Sequence, residues 1–252
     1  MTAKYRLLAL DMDGTLLNDD QVITPKTVEW ITKAVDAGVH VCLSTGRAFR
    51  SAMPYAEQLG LKTPMITVNG SEIWREPYEL FRRSLMDPAL IEQLYKIAEE
   101  YGIWFWAYST EQVYNRKNWD GDITGREWLK FGYSTEDDEI RHKLLMQLQD
   151  LGGLEITNST PHNLEINPLG VNKAYGIGEV CKLLGIEMNE VVAVGDSLND
   201  LAAIQQAGLG VAMGNAQKTV QQEADAVVAT NNEDGIAEVI EKYILSEVNQ
   251  GS

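Results

Sequence analysis

The sequence has few cysteines and no long apolar run, which limits the kinds of protein it can be. Cys42 and Cys181 are its two cysteines, and neither belongs to a Cys-x-x-Cys or Cys/His cluster, so neither a disulfide framework nor a zinc site is indicated. The longest apolar stretches, such as residues 5–10 and 191–194, fall far short of the roughly 20 residues that span a bilayer. The N-terminal segment lacks the apolar core and cleavage site of a signal peptide. We therefore expect a cytoplasmic protein.

Positive charge is also scarce. The 252 residues include 21 Lys and Arg against 37 Asp and Glu, which gives a formal net charge of −16 at pH 7. Nucleic acids and anionic lipids bind to basic surfaces, so we expect neither a nucleic acid nor a membrane as partner. The same charge would repel an anionic substrate, and a phosphate site in this chain must therefore contain its own cations.

Short apolar runs alternate with helical patterns at both ends of the chain. Thr24 and Pro25 supply an N-cap and a first-turn proline for the first helix. This alternation predicts a doubly wound, Rossmann-like α/β domain with a parallel sheet, made of residues 1–78 and 170–252. Its predicted strands are residues 5–10, 39–43, 65–68, 191–194, 209–212 and 226–228, and its predicted helices after the first are residues 47–59, 172–184, 198–207, 216–223 and 234–244.

The pattern changes between residues 79 and 169. Two helices are predicted there, at residues 88–101 and 136–151, together with strands at 103–108, 112–114, 154–157 and 163–167. Strands grouped with helices on one face predict a small α+β insert. Hinges are expected near residues 77–79 and 167–170, where turn-forming residues occur.

Acidic residues follow two of the predicted parallel strands. Asp11 and Asp13 come directly after the first strand, and Asp196 comes just after the strand at 191–194. The carboxyl ends of parallel strands meet at one edge of the sheet, where ligands of such domains bind. Neighbouring carboxylates repel each other unless a cation lies between them. Three acidic oxygens and a phosphate would suit Mg²⁺.

Two further segments supply groups that suit a phosphate. Ser44-Thr45-Gly46-Arg47 ends the second strand and opens a predicted helix, so it offers a hydroxyl and backbone N–H groups. Lys173 begins the first helix after the insert and is the candidate local cation. We interpret Arg47 as a helix-start or surface residue rather than a catalyst.

These motifs resemble the four signatures of the haloacid dehalogenase superfamily of aspartate-nucleophile phosphatases. They occur in the same order along nearly the whole chain, as Asp11-Met12-Asp13-Gly14-Thr15, Thr45 in Ser-Thr-Gly-Arg, Lys173, and Gly195-Asp196-Ser197-Leu198-Asn199-Asp200. The insert lies between the second and third signatures, where the Cof-like branch carries its type 2 cap. The cap resembles that branch in position and size alone, so substrate identity does not carry over.

The resemblance implies a Mg²⁺-dependent phosphatase that acts on small phosphorylated metabolites, either sugar phosphates or monoesters of the flavin, pyridoxal or nucleotide type. Asp11 would be the nucleophile that forms an aspartyl-phosphate, and Asp13 the general acid and base. The second role requires Asp13 to begin neutral, a state that the charge of Asp11 favours. Thr45 and Lys173 would also take part in catalysis. Mg²⁺ would be held by Asp11, by the backbone carbonyl of Asp13 and by Asp196. The residues that would bind the phosphate are Met12, Thr45, Gly46, Lys173 and Asn199, and Asp200 would support the site.

Two other functions remain open at this point. A phosphomutase of the same superfamily shares the paired aspartates and can carry such a cap. A phospho-accepting signalling domain also places aspartates, a Ser or Thr, and a Lys at the strand ends of a doubly wound sheet. Asp13 argues against the signalling domain, because it supplies the base that releases phosphate, and so does an insert of about ninety residues.

The predicted strand at residues 103–108 is rich in aromatic residues. Alternation places Trp104, Trp106 and Tyr108 on one face and Phe105 on the other. The Trp104 face could stack on a planar leaving group. We favour the alternative that this face packs against the two helices of the insert, because a small sheet needs one covered face.

Overall fold

The structure, a computed structural model, describes residues 4–76 and 79–246 and contains a core with a parallel sheet and a cap with a separate antiparallel sheet. The first part of the chain forms β1 (Leu7–Leu10), α1 (Pro25–Asp36), β2 (His40–Leu43), α2 (Phe49–Gln58), β3 (Met65–Thr67), β4 (Glu72–Glu76) and β5 (Glu79–Arg83). The middle forms α3 (Pro88–Tyr101), β6 (Trp104–Ser109), β7 (Val113–Asn115), β8 (Trp128–Ser134), α4 (Asp138–Leu151), β9 (Leu154–Thr157) and β10 (Asn163–Pro168). The last part forms α5 (Lys173–Leu184), β11 (Val191–Gly195), α6 (Leu198–Gln206), β12 (Leu209–Ala212), α7 (Lys218–Glu223), β13 (Ala226–Val227) and α8 (Gly235–Val239), which continues as a π-helical segment over Ile240–Leu245.

The core sheet is parallel and combines strands from both ends of the chain. Its order is β13-β12-β11-β1-β2, and a bridge between Ser44 and Ile66 places β3 beside β2. All four residues of β1 are buried, because helices cover both faces of the sheet. The predicted α/β fold with a doubly wound core is confirmed.

Local caps set where the helices of the core begin. The Thr24 hydroxyl accepts the N–H of Thr27 at 3.1 Å, as the sequence predicts for α1. The Asn172 side chain accepts the N–H of Tyr175 at 3.0 Å, and this cap fixes Lys173 as the first residue of α5. These caps satisfy backbone N–H groups in the first turns of the two helices.

One helix start was predicted wrongly. The helix expected to open at Arg47 begins at Phe49, and Ala48 is still extended. The Thr45 N–H bonds the Ile66 carbonyl at 3.0 Å, and the Thr45 hydroxyl accepts the Arg47 N–H at 3.1 Å. Because these bonds use the donors of the segment, Ser44–Arg47 forms a loop, which we call the phosphate loop.

A hairpin lies between the core and the cap. Strand β4 pairs antiparallel with β3, and β5 pairs with β4. The predicted boundary between residues 78 and 79 therefore falls between two hydrogen-bonded strands, which favours starting the insert after β5. Of the first predicted hinge, Pro77 and Tyr78 lie outside the described residues.

The cap contains an antiparallel sheet in the order β7-β6-β8-β10-β9 and the helices α3 and α4. Strand β8 was not predicted from the sequence. It lacks a polar-apolar alternation because six of its seven residues are buried, including Lys130. Without this central strand, the sheet order, in which β6 and β10 each pair with β8, could not be anticipated.

The helices cover the opposite face of β6 from the one that we favoured. Phe105 and Ala107 are buried in one apolar cluster with Leu94 of α3 and Leu144 of α4. Trp104 is 39% exposed, and Trp106 and Tyr108 are partly exposed. The favoured interpretation of the Trp104 face was therefore wrong, because Phe105 fills the space beneath the helices.

The sequence indicates neither a disulfide nor a membrane-spanning helix, and the described residues bear on both points. Cys42 and Cys181 are free and buried, and they lie in the same apolar cluster between the core sheet and α5. Among residues 4–76 and 79–246, no helix combines the length and the apolar character needed to cross a bilayer.

Candidate active site

Asp11 and Lys173 meet at the carboxyl edge of the core sheet. Asp11 follows β1 and is 6% exposed, while Lys173 begins α5 and is 1% exposed. The Lys173 ammonium donates to Asp11 Oδ1 at 2.5 Å and to Asp200 Oδ1 at 2.6 Å. The predicted nucleophile and the predicted local cation are thus in direct contact.

Burial and charge act against each other on this pair. Burial alone would lower the pKa of Lys173, but Asp11 and Asp200 outweigh it and raise that pKa above its usual value. For Asp11, burial raises the pKa well above the usual range, Lys173 opposes this rise, and the charges of Asp200 and Asp196 add to it. One ammonium therefore does not neutralise the acidic groups at this site.

Three carboxylates form the acidic cluster. One oxygen each from Asp11, Asp196 and Asp200 lies within 4.8 Å of the others. Burial, followed by the charge of Asp200, raises the pKa of Asp196 to about 7. A Cβ added at Gly14, where φ is +78°, would lie 2.6 Å from Asp196 Oδ2, so the first signature needs glycine for this close approach.

The contacts of these carboxylates distinguish their roles. Asp200 Oδ2 accepts the N–H groups of Asp196 and Ser197 at 3.1 Å, and its Oδ1 accepts Lys173, so Asp200 caps α6 and orients the loop. Asp196 accepts only hydroxyls among the described residues, from Thr15 at 3.2 Å and Ser197 at 3.0 Å. Asp11 and Asp196 therefore remain as hard oxygen donors that could hold Mg²⁺.

Asp13 lies beside this cluster with a different partner. Arg47 donates to its two oxygens at 2.7 and 2.5 Å and also contacts Gln21. Arg47 lies in a loop rather than at a helix start, since α2 begins at Phe49, and its side chain is 23% exposed. No sequence motif predicts this ion pair, because Arg47 lies in a loop 34 residues further along the chain than Asp13.

A cavity of about 310 Å³ opens between the core and the cap above these residues. Its size is within the range of small-molecule sites. The core contributes predicted and unpredicted residues to its lining, namely Asp11, Asp13, Gly46, Arg47, Ser197 and Asn199. The cap contributes residues that the sequence analysis did not single out as polar site residues, namely Tyr108, Lys130, Ser159, Thr160 and Glu165.

Three other predicted phosphate-binding residues, Thr45, Met12 and Asn199, are buried at the site. Thr45 is buried in the phosphate loop beside the cavity. Met12 is fully buried in the core cluster, which leaves its backbone as the part that could contact a ligand. Asn199 is buried, and no described residue donates a hydrogen bond to its Oδ1 atom. An unpartnered buried acceptor at the cavity wall is consistent with a bound ligand at this position.

Comparisons with known proteins agree with this architecture. The family model of haloacid dehalogenase-like hydrolases matches residues 8–142 and 117–240. A 5-amino-6-(5-phospho-D-ribitylamino)uracil phosphatase of Bacillus subtilis is 46% identical over 240 residues, which cover 95% of this chain and 96% of the relative. A pyridoxal phosphate phosphatase of Escherichia coli is 28% identical over 273 residues, covering 95% and 99%. The solved structure of a haloacid dehalogenase-like hydrolase from B. subtilis has a TM-score of 0.86 at 25% identity and covers 94% and 99%.

Proposed function

The chain belongs to the haloacid dehalogenase-like hydrolase family and is a phosphoric monoester hydrolase, and we propose that it uses Mg²⁺ and an aspartyl-phosphate on Asp11. The observation that carries this proposal is the buried contact of Lys173 with Asp11, next to Asp196. A lysine in this position fixes one oxygen of the nucleophile and adds positive charge where a phosphate dianion would arrive.

The chemistry divides into two displacements. An Asp11 oxygen bonds to phosphorus as the ester P–O bond breaks, and Asp13 protonates the departing oxygen. Asp13 then takes a proton from water, the water oxygen bonds to phosphorus, and phosphate leaves Asp11. Asp11, Asp196 and the backbone carbonyl of Asp13 would hold Mg²⁺, which supplies positive charge that reduces the repulsion between the two anions.

Asp13 has to change partners for this role. Arg47 occupies both of its oxygens, so Asp13 must release at least one contact before it can donate a proton to a leaving group. The arriving phosphate offers Arg47 a replacement anion, because the guanidinium also lines the cavity.

We propose a ring-bearing phosphate monoester of the 5-amino-6-(5-phospho-D-ribitylamino)uracil type as the substrate. The relative that is 46% identical carries this activity in its name. The cavity supports the proposal, since its cap wall contains the Tyr108 ring, which could stack on a pyrimidine, and the hydroxyls of Ser159 and Thr160, which could bind a polyol chain.

Phosphate release provides the test. We expect the enzyme to hydrolyse 5-amino-6-(5-phospho-D-ribitylamino)uracil with a higher kcat/KM than pyridoxal phosphate, flavin mononucleotide or sugar phosphates, and to lose activity on chelation. Robust turnover in a metal-free preparation would contradict the roles of Asp11 and Asp196.

Product analysis separates the alternatives. Transfer of the phosphoryl group to a second sugar hydroxyl would identify a phosphomutase. A stable aspartyl-phosphate that accumulates without turnover would identify a phospho-accepting signalling domain.

A further inference from the structure

A left-handed turn joins β3 to β4. Its three residues, Val68, Asn69 and Gly70, have φ values of +51°, +57° and +100°. A β-branched residue is very unfavourable in this region, so the surroundings of Val68 must hold the turn in place. We call residues 68–70 the β3–β4 turn.

The phosphate loop binds one side of this turn. The Val68 N–H donates to the Arg47 carbonyl at 2.9 Å, and the Asn69 N–H donates to the Thr45 carbonyl at 3.0 Å. Thr45 is the predicted phosphate ligand, and Arg47 is the partner of Asp13. A displacement of the turn would therefore move two groups of the active site.

The cap binds the other side of the turn. Glu165 Oε2 on β10 accepts the Asn69 side-chain amide at 2.6 Å. Asn167, two residues further along β10, donates to the Val68 carbonyl and to Ser71 Oγ, both at 3.0 Å. All of these side chains are buried, and the low local dielectric strengthens their hydrogen bonds.

Lys130 connects the cap to the phosphate loop directly. Lys130 is 1% exposed, and its ammonium donates to the Gly46 carbonyl at 2.9 Å and to Glu165 Oε1 at 3.3 Å. Glu165 also accepts the Ser159 hydroxyl at 3.2 Å. A buried ion pair is costly unless it is fully hydrogen-bonded, and here the bonds that satisfy it run to the phosphate loop and the β3–β4 turn.

We propose that Lys130, Glu165 and Asn69 are positioning residues through which the docked cap sets the geometry of the phosphate loop. The inference rests on the proposed phosphatase function. Lys130 holds the Gly46 carbonyl, and Glu165 acts through Asn69 on the Thr45 carbonyl. When the cap is docked, the Thr45 hydroxyl and the Gly46 backbone are aligned on the phosphoryl group whatever the leaving group is.

The smallest substrates separate positioning from recognition of the leaving group. Acetyl phosphate has a two-carbon leaving group that cannot fill the cavity. We expect Glu165→Gln and Lys130→Met each to lower kcat for acetyl phosphate by about 10- to 100-fold, because small displacements of catalytic groups have effects of this size. Inhibition by orthovanadate, which occupies the phosphoryl site, should weaken in parallel.

Glu179→Gln is the matched control. Glu179 is also a buried glutamate, and it pairs with Arg82 at 3.3 Å and with Lys182 at 2.6 Å, neither of which belongs to the phosphate loop, the β3–β4 turn or the cavity lining. This variant should unfold at a lower temperature and keep the wild-type kcat and orthovanadate inhibition at 25 °C. The double variant Lys130→Met/Glu165→Gln should lose no more kcat than the worse single variant, since the two residues act as one unit.

Each other outcome overturns the proposal. Variants with wild-type kcat for acetyl phosphate and reduced kcat/KM for ring-bearing substrates would show that the pair recognises the leaving group. Variants with a lower unfolding temperature and unchanged kinetics would show a purely structural pair. Failure of the proposed phosphatase function would be a separate result, because the wild-type enzyme itself would then show no Mg²⁺-dependent turnover. In that case, the affinity of each variant for inorganic phosphate, measured by calorimetry, would still show whether the geometry of the phosphate loop has changed.

Discussion

Asp13 carries two proton transfers in the proposed reaction, and Asp11 carries the covalent bond. Asp13→Asn should therefore still form the aspartyl-phosphate from acetyl phosphate, whose leaving group needs no proton. Its turnover should fall by about 10²- to 10⁴-fold, the range for loss of a general acid and base. Rapid-quench measurement of phosphorylated enzyme checks both steps.

Asp11→Asn is the control for this prediction, because it removes the nucleophile and should give neither a burst nor turnover. An Asp11→Asn enzyme with a near-native kcat would overturn the covalent mechanism.

The effect of Mg²⁺ on thermal unfolding tests whether Asp196 binds the metal. Its pKa is raised to about 7, first by burial and then by Asp200, so Lys173 alone does not supply enough counter-charge for the acidic cluster. Mg²⁺ at 100 times its dissociation constant should add about 2.7 kcal/mol to the free energy of unfolding. Asp196→Asn should abolish the rise in unfolding temperature on adding Mg²⁺, whereas Asn215→Ala, at an exposed position of the same edge, should keep it. An unchanged rise in Asp196→Asn would exclude Asp196 as a ligand.

At the scale of elements, the strands and helices of the core were predictable because each follows a local rule. The burial of β1 on both faces gives a continuous apolar run, and the Thr24-Pro25 pair marks a helix start. The core half of the site followed from the same rule, since its acidic residues stand next to strand ends. Strand β8 was not predicted because its buried lysine, Lys130, interrupts the apolar pattern.

The cap half of the site depends on pairing between distant strands. Lys130 on β8 reaches Gly46, 84 residues away, and Glu165 on β10 reaches Asn69, 96 residues away. No motif within either strand identifies these residues. A charged residue within an apolar strand is a sign of a buried partner, but the identity of that partner requires the sheet order.

Strand β6 supplies the prediction on specificity. Tyr108 lines the cavity, whereas Trp106 lies across Gly132 of β8, where an added Cβ would be 2.3 Å from the indole. Tyr108→Ala should reduce kcat/KM for ring-bearing phosphates by the equivalent of about 1 to 3 kcal/mol and leave acetyl phosphate unaffected.

Trp106→Ala serves as the comparison on the same face. It should lower the unfolding temperature and change all substrates alike, because its ring packs on the sheet. Equal losses for all substrates in Tyr108→Ala would remove the stacking proposal.

At the scale of the whole molecule, the cap and the core are joined by polar contacts on two sides of the cavity. One side is formed by Lys130 and Glu165. On the other side, Asn158 of the β9–β10 loop accepts the Asn199 N–H at 3.0 Å and the Gln217 side chain at 2.9 Å. The cap and the core have separate apolar clusters, so these polar contacts form the junction between them at the cavity.

The pH dependence of stability tests the Glu165 side of this junction. Burial alone would raise the pKa of Glu165, but Lys130, the Asn69 amide and the more distant Lys173 together hold it below the usual 4.5. The folded protein therefore binds fewer protons here than the unfolded chain, so this contribution to stability is fully present above pH 4.5 and is lost as the pH falls through the folded pKa. Breaking such a buried pair costs on the order of 3 kcal/mol. Wild type should unfold at a higher temperature than Glu165→Gln at pH 7, and the difference should shrink below pH 4.5.

Thermal unfolding followed by circular dichroism between pH 3 and pH 8 measures this difference. Glu92→Gln is the matched control, because Glu92 pairs with Lys96 on the exposed face of α3 and such pairs contribute little. Its unfolding temperature should stay close to that of wild type throughout. A wild-type advantage over Glu165→Gln that is equal at pH 3 and pH 7 would mean that the Glu165 charge does not stabilise the junction, and the shape of the side chain alone would then account for the effect.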